Sequence, residues 1–188
     1  MKKRKKKLCK SWNVFAAAIS LWVLSYFLDD AVYSFFRGFT SKIFDFFFLF
    51  ITNLTFVLIF FIAVPSLFFY KNRKDLFSLW TAVILSFIIS FILKIVVSRQ
   101  RPEEAIVGNF LGLNDYSFPS THSMLVFSVL PIMIQKTRHG KIYLLMAALV
   151  AFSRVYLNVH YLSDIVFGAI LGYCIGFLIL KKHNSTTA

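Results

Sequence analysis

The sequence predicts an all-α integral membrane bundle of six transmembrane helices, with the N- and C-termini both cytoplasmic. Three observations carry that prediction: the composition, the spacing of the apolar runs, and the distribution of Lys and Arg between them. Of the 188 residues, 59% are hydrophobic and 24 are Phe, far more apolar surface than a soluble domain of this size buries. No Gly-, Pro- or Ser-rich linker divides the chain. One membrane domain over residues 12–183, preceded by a basic tail over residues 1–11, is expected.

A spanning helix needs about 20 predominantly apolar residues. Runs of suitable character are Trp12–Leu28, Ile43–Tyr70, Leu76–Val97, Ser123–Gln135, Ile142–Leu157 and Tyr161–Leu180. The fourth and fifth are short. Pro65 and Pro131 fall inside two of the runs, where a missing N–H and a ring clash are expected to kink or thin the helix. Trp12, Tyr70, Trp80, Tyr116, Tyr143 and Tyr161 fit interfacial aromatics. The Phe-rich second run reads as lipid-facing packing.

Orientation follows from the positive-inside rule. With the N-terminus inside, the tail through Lys10 carries 7 Lys and Arg, the loop Lys71–Lys74 carries 3, Lys136–Lys141 carries 3, and Lys181–Lys182 adds 2. Only Arg37, Lys42, Lys94, Arg99, Arg101 and Arg154 lie toward the other face. The net charge of +13 is thereby assigned to topology and anionic headgroups rather than nucleic acid. The basic start resembles a signal peptide, but the first run ends in Tyr26-Phe27-Leu28-Asp29-Asp30 rather than a small-residue cleavage site, so an uncleaved first helix is expected. Cys9 and Cys174 form no C-x-x-C pair, and no disulfide or zinc site is indicated. The glycosylation patterns at Asn53 and Asn184 fall in the membrane and the inner tail, so neither is expected to be modified.

Three polar clusters interrupt this apolar chain: Lys94 with Arg101-Pro102, Pro119-Ser120-Thr121-His122, and Ser153-Arg154 with His160 and Asp164. Ionisable groups in membrane segments are retained mainly where function needs them, and the predicted topology brings all three clusters to the extracytoplasmic face. Lys94 reaches up from a helix end as a mobile point charge, and Arg101 offers a fork of donors matched to phosphate oxygens. Each alone also reads as a snorkelling or solvated cation. Ser120 is a natural N-cap, leaving the first N–H groups of the fourth helix facing outward, a ready anion site. His122 in that first turn is disfavoured when protonated unless an anion accompanies it. His160 and Asp164, four apart, are placed on the sixth helix, where the carboxylate would orient the imidazole and leave its other nitrogen free to attack. A break near Asn158 is needed for Arg154 and His160 to face one pocket.

Together these motifs resemble the three-part signature of the type 2 phosphatidic acid phosphatase (PAP2) superfamily, which also contains the vanadium haloperoxidases. Thr121 departs from the Gly more often found there. The resemblance implies a six-helix membrane fold and a metal-independent lipid phosphatase. His160 would be the nucleophile, forming a phosphohistidine, and Asp164 would orient it. His122 would protonate the leaving oxygen and then activate water. Lys94, Arg101, Ser120 and Arg154 would hold the phosphate, with the Thr121 backbone N–H assisting. No metal or other cofactor is expected. Arg99, Glu103 and Glu104 flank these motifs and are given no role.

The expected partners are a lipid phosphate or diphosphate and the bilayer, with no nucleic acid. The cell membrane is the expected location, with the site outside. The small size is similar to that of prokaryotic members acting on polyprenyl diphosphates. Phosphatidic acid or phosphatidylglycerophosphate are alternative substrates. Phosphotransfer to a second lipid or sugar, and non-enzymatic binding or scrambling of lipid phosphates, are rival functions.

Overall fold

The computed structural model of the chain describes residues 2–39, 41–103 and 116–185, with side chains described between residues 13 and 183 of those segments. Glu104 and the side chains of Cys9, Trp12 and Asn184 lie outside the described residues. Among the described residues every regular element is helical. Helix α1 (Lys2–Phe27) turns by 52° into α2 (Asp29–Arg37). Two acids in the first turn of α2 and Arg37 in its last suit its dipole, and this short helix was not expected from the sequence.

The second apolar run is broken. Helix α3 (Lys42–Thr52) bends by 49° at Asn53, whose side chain caps α4 (Leu54–Leu58) by accepting the Thr55 N–H at 2.9 Å. A π-helical turn, Ile59–Ala63, then leads into α5 (Val64–Phe69). Pro65 accounts for that turn. With Val64 N–H donating to Ile59 O, the Phe60 carbonyl falls to residue 65, where proline has no N–H to give. The Tyr143 hydroxyl fills the vacancy, donating to Phe60 O at 3.1 Å. Tyr143 is 3% exposed, a core residue rather than the interfacial aromatic expected.

Helices α6 (Arg73–Val97), α7 (Thr121–Lys136), α8 (Gly140–Tyr156) and α9 (Leu162–Ser185) form the main bundle. Only α6 and α9 are individually long and apolar enough to span a membrane, and the two bent pairs raise the number to at most four among the described residues. Helices α7 and α8, at 16 and 17 residues, match the two short runs. The shortness of α7 has a physical reason: ten of its sixteen residues are buried, Met124, Val126, Val129, Ile132 and Met133 completely. It is the central post of the bundle, walled by protein rather than lipid, and packs against Val57, Phe61, Leu79, Ala82, Val150 and Leu180.

Helices α7 and α9 run parallel in unusually close approach. A Cβ placed on Gly168, Gly172 or Gly176 would lie 2.8 Å from Ser120 O, 2.2 Å from Met124 O and 2.0 Å from Ser128 O respectively. Small residues four apart let helix backbones meet where lipid supplies no hydrophobic drive for association. The ladder begins at Ser120, so the same contact that holds the bundle together sets the height of the polar clusters.

Candidate active site

Helix α6 stops at Ser98, which adopts the left-handed conformation (φ 49°) while its N–H still bonds Lys94 O at 2.9 Å. The helix therefore ends earlier than Pro102 requires, and the turn carries Arg99 and Arg101 back across the bundle. The Lys94 ammonium donates to Tyr116 O, and Ser117 N–H donates to Arg99 O at 2.7 Å. These bonds tie the first polar cluster to the second.

The second cluster opens α7. Ser120 caps the helix, its hydroxyl oxygen accepting from Ser123 N and Ser123 Oγ, and its own N–H donates to Asp164 O at 3.2 Å. The Thr121 hydroxyl lies 2.7 Å from Ser90 Oγ on α6. The side chain that departs from the usual Gly is thus directed into a helix contact. His122 Nε2 is 3.1 Å from Thr52 O, a carbonyl exposed by the break of the second run at Asn53. Arg154 of α8, 4% exposed, donates through Nη1 to the Thr52 hydroxyl at 2.9 Å. Thr52 therefore joins His122 to Arg154, and nothing in its apolar sequence surroundings marks it.

The third cluster turns on Asn158, again left-handed at φ 52°, which supplies the expected break. The N–H groups of Val159 and His160 both return to Arg154 O at 3.2 Å, and Arg101 Nη1 donates to Val159 O at 2.8 Å. Helix α9 starts at Leu162, so His160 lies in the turn before it and not on the helix as read from the sequence. Asp164 is in the first turn of α9 and fully buried.

His160 Nδ1 and Asp164 Oδ2 are 3.7 Å apart, close enough to attract but longer than a hydrogen bond. The Ser117 hydroxyl bridges them: it donates to Asp164 Oδ2 and lies 3.3 Å from His160 Nδ1. Because its proton goes to the carboxylate, Ser117 offers a lone pair to an Nδ1–H, which leaves Nε2 as the unprotonated nitrogen. Ser117→Ala is expected to lower turnover about tenfold, the scale of coupling within one hydrogen-bonded network, with KM little changed and Ser117→Thr partly restoring it. Steady-state phosphate release is the check.

Arg99, given no role from the sequence, is the hub of a buried network. Its Nη1 donates to Asp164 Oδ1 and to Ser163 Oγ, both at 2.7 Å, and its Nη2 to Asp29 Oδ2 at 2.8 Å. Its guanidinium lies over the Tyr161 ring, 4.0 Å from the centroid. Burial opposes the charge on Arg99, but hydrogen bonds and charges from Asp29 and Asp164 outweigh it and hold its pKa above the ordinary value. Two sequence features could have marked this network: a cation on the face where few were expected, and the acids Asp29 and Asp30 ending the first apolar run. Glu103 pairs instead with α2, 3.7 Å from Arg37 Nε.

The structure thus gathers His122, Ser120, Thr121, Arg154, His160, Asp164, Arg101 and Lys94 at one end of the bundle, and His122 is within electrostatic reach of Arg154, His160 and Arg101. Among the described residues no three of His, Cys, Asp and Glu converge on a metal position. The assembly offers cationic donors, two imidazoles and a carboxylate fixed as an acceptor, a set fitted to a tetrahedral anion.

A profile of the PAP2 superfamily matches residues 75–187. The chain belongs to the PAP2 superfamily. A protein named undecaprenyl-diphosphatase from Sulfolobus acidocaldarius is 29% identical over 124 residues, covering 63% of this chain and 60% of that one. Phosphatidylglycerophosphatase B of Bacillus subtilis is 30% identical over 126 residues, 61% of each chain. These matches span about three-fifths of the relatives' length. In fold, the chain is similar to a transmembrane PAP2-type phosphatidylglycerolphosphate phosphatase from Bacillus subtilis, with a TM-score of 0.70 at 22% identity over 90% of this chain and 96% of that one. Aquifex aeolicus LpxE gives 0.67 at 24% identity, covering 82% and 95%. The PAP2 profile takes in all three polar clusters, whereas Asp29 and Thr52 lie before it.

Proposed function

We propose that this PAP2 protein is an integral membrane phosphatase that removes phosphate from a lipid at the extracytoplasmic face, through a phosphohistidine and without a metal. The observation that carries the reading is the Asp164–Ser117–His160 relay set among Lys94, Arg101, Ser120 and Arg154. With Nδ1 committed to Ser117, His160 Nε2 attacks phosphorus and the bond to the leaving oxygen breaks. His122 delivers a proton to that oxygen. It then takes a proton from water, whose oxygen attacks the phosphohistidine, releasing inorganic phosphate and restoring His160. The cations and the Thr121 N–H hold the equatorial oxygens as charge builds. Asp164 receives donors from Ser117, Tyr161 N–H (3.0 Å) and Arg99, which keeps it an acceptor for the imidazolium charge that develops.

A polyprenyl diphosphate is the proposed substrate, supported by the Sulfolobus relative's name. Phosphatidylglycerophosphate is the second reading, supported by the name of the Bacillus relative. Phosphate release by purified protein from polyprenyl diphosphate, phosphatidylglycerophosphate, phosphatidic acid and a soluble ester decides between them, and an added acceptor lipid exposes phosphotransfer. Activity is expected to persist in EDTA; its collapse would speak for a metal.

The six-span topology, with the tail before Trp12 inside and the site outside, belongs to the same proposal. It rests on the Lys and Arg asymmetry and on the apolar faces of α1 to α6, where Phe27, Ile43, Phe46, Leu67 and Val96 are among the most exposed side chains. In a background lacking Cys9 and Cys174, Gln100→Cys is expected to react with an impermeant thiol reagent added to intact cells. Lys71→Cys should react only after lysis. The reverse pattern would invert the topology.

A further inference from the structure

We propose that Asp29, at the α1–α2 elbow, is a positioning residue for Asp164, acting through Arg99 and Ser163. The inference rests on the phosphatase reading above and extends the reacting machinery beyond the region matched by the PAP2 profile. Asp29 is 4% exposed, and Ser163 and Asp164 are fully buried. Asp29 Oδ1 accepts the Ser163 N–H at 2.8 Å, and Oδ2 accepts Ser163 Oγ at 2.5 Å and Arg99 Nη2 at 2.8 Å.

The Ser163 N–H is one of the first in α9 and has no partner within its own helix. Asp29 therefore caps α9 from a different helix, in the turn that carries Asp164. Arg99 completes the device. One guanidinium nitrogen holds Asp29 while the other holds Asp164 Oδ1, and Tyr161 covers its face. With Oδ1 fixed by Arg99, Oδ2 is left to Tyr161 N–H and Ser117, and Ser117 faces His160 Nδ1. The orientation of the imidazole is thus tied through Ser117, Asp164, Arg99 and Asp29 to the α1–α2 elbow.

A buried ion triad kept only for stability is commonly replaceable by apolar packing. This one is built so that each carboxylate takes a different nitrogen of the same fork. Removing the Asp29 charge takes away the anion that anchors Arg99 and replaces the Oδ2 acceptor of Ser163 Oγ and Arg99 Nη2 with an NH2 donor, so Asp164 loses its fixed register against Ser117. The proposed phosphate-holding side chains stand at other positions: Lys94 on α6, Arg101 in the turn after it, Ser120 as the cap of α7, and Arg154 on α8.

The test uses the purified full-length chain in detergent, with folded protein quantified by gel filtration and thermal melting. Asp29→Asn, isosteric but uncharged, is expected to lower kcat by about tenfold to a hundredfold, the range for coupling within one ion-pair network, with KM for the lipid phosphate little changed. Arg99→Lys, which keeps the charge but loses the fork, should give the same kcat-limited pattern and provides the reading if Asp29→Asn does not fold. In an Asp164→Asn background, followed by radiolabelled phosphate release, either substitution should add little. A folded variant with wild-type kcat, or losses that multiply with Asp164→Asn, would overturn the proposal. His160→Ala is run alongside: turnover surviving there sinks the phosphatase mechanism, whereas a dead His160→Ala with a fully active Asp29→Asn sinks only the positioning role.

Discussion

His160→Ala is expected to reduce phosphate release by at least about a thousandfold, the scale on which loss of a covalent nucleophile removes turnover. The Asp164–Ser117 pair faces Nδ1 of His160 and so directs its other nitrogen to the attacking role. His160 is 3% exposed and fixed by its backbone bond to Arg154 O, with Nδ1 engaged by Ser117. The cations proposed to hold phosphate come from other positions, so binding of the lipid phosphate should survive. A quenched reaction on labelled substrate should show an acid-labile phosphoenzyme in the wild type and none in the variant. A variant that binds and turns over normally would remove the nucleophile assignment and favour a transport or binding role for the cationic end of the bundle.

Gly172→Leu is expected to give no folded protein. Even a Cβ at Gly172 would lie 2.2 Å from Met124 O, and backbone cannot step aside as a flexible side chain can. Gly172→Ala is expected to destabilise by about 1–3 kcal/mol, the usual range for forced overpacking. The consequence would reach the site, because pushing α9 from α7 stretches the Ser120 N–H bond to Asp164 O, now 3.2 Å. Gly38→Ala is the control, since its Cβ would meet only Phe35 O at 3.9 Å. Detergent gel filtration and thermal melting distinguish the three, and a Gly172→Leu protein with a wild-type melt would remove the ladder from the account.

The helices were largely legible from the sequence because apolar runs bounded by charge have few alternatives in a bilayer. Observed α6 through α9 lie over the last four predicted runs. What periodicity did not reveal was interruption within a run. Asn53 reads as one polar residue in an apolar stretch, yet its side chain nucleates a new helix and bends the chain by 49°. The 3.6-residue pattern also gives no warning that Tyr143 seeks the carbonyl orphaned by Pro65. Gly168, Gly172 and Gly176 stand four apart in the sequence but were given no role from it, since spacing alone does not say which helix lies opposite.

The site divides in the same way. Lys94, Arg101, Ser120, Thr121, His122, Arg154, His160 and Asp164 stood out because charge and hydrogen-bonding groups are costly near an apolar phase, and their spacing carried the superfamily resemblance. The sequence by itself therefore determined the helical class, the superfamily and the set of groups gathered at one end. Tertiary structure alone decided that a serine stands between histidine and aspartate, that Thr52 links His122 to Arg154, and that Arg99 ties Asp164 to Asp29. The reason is physical: composition and period report what each segment must bury, whereas a hydrogen bond depends on positions good to a fraction of an ångström. Those positions are set by left-handed turns at Ser98 and Asn158 and by the approach of α9 to α7, which no single segment encodes.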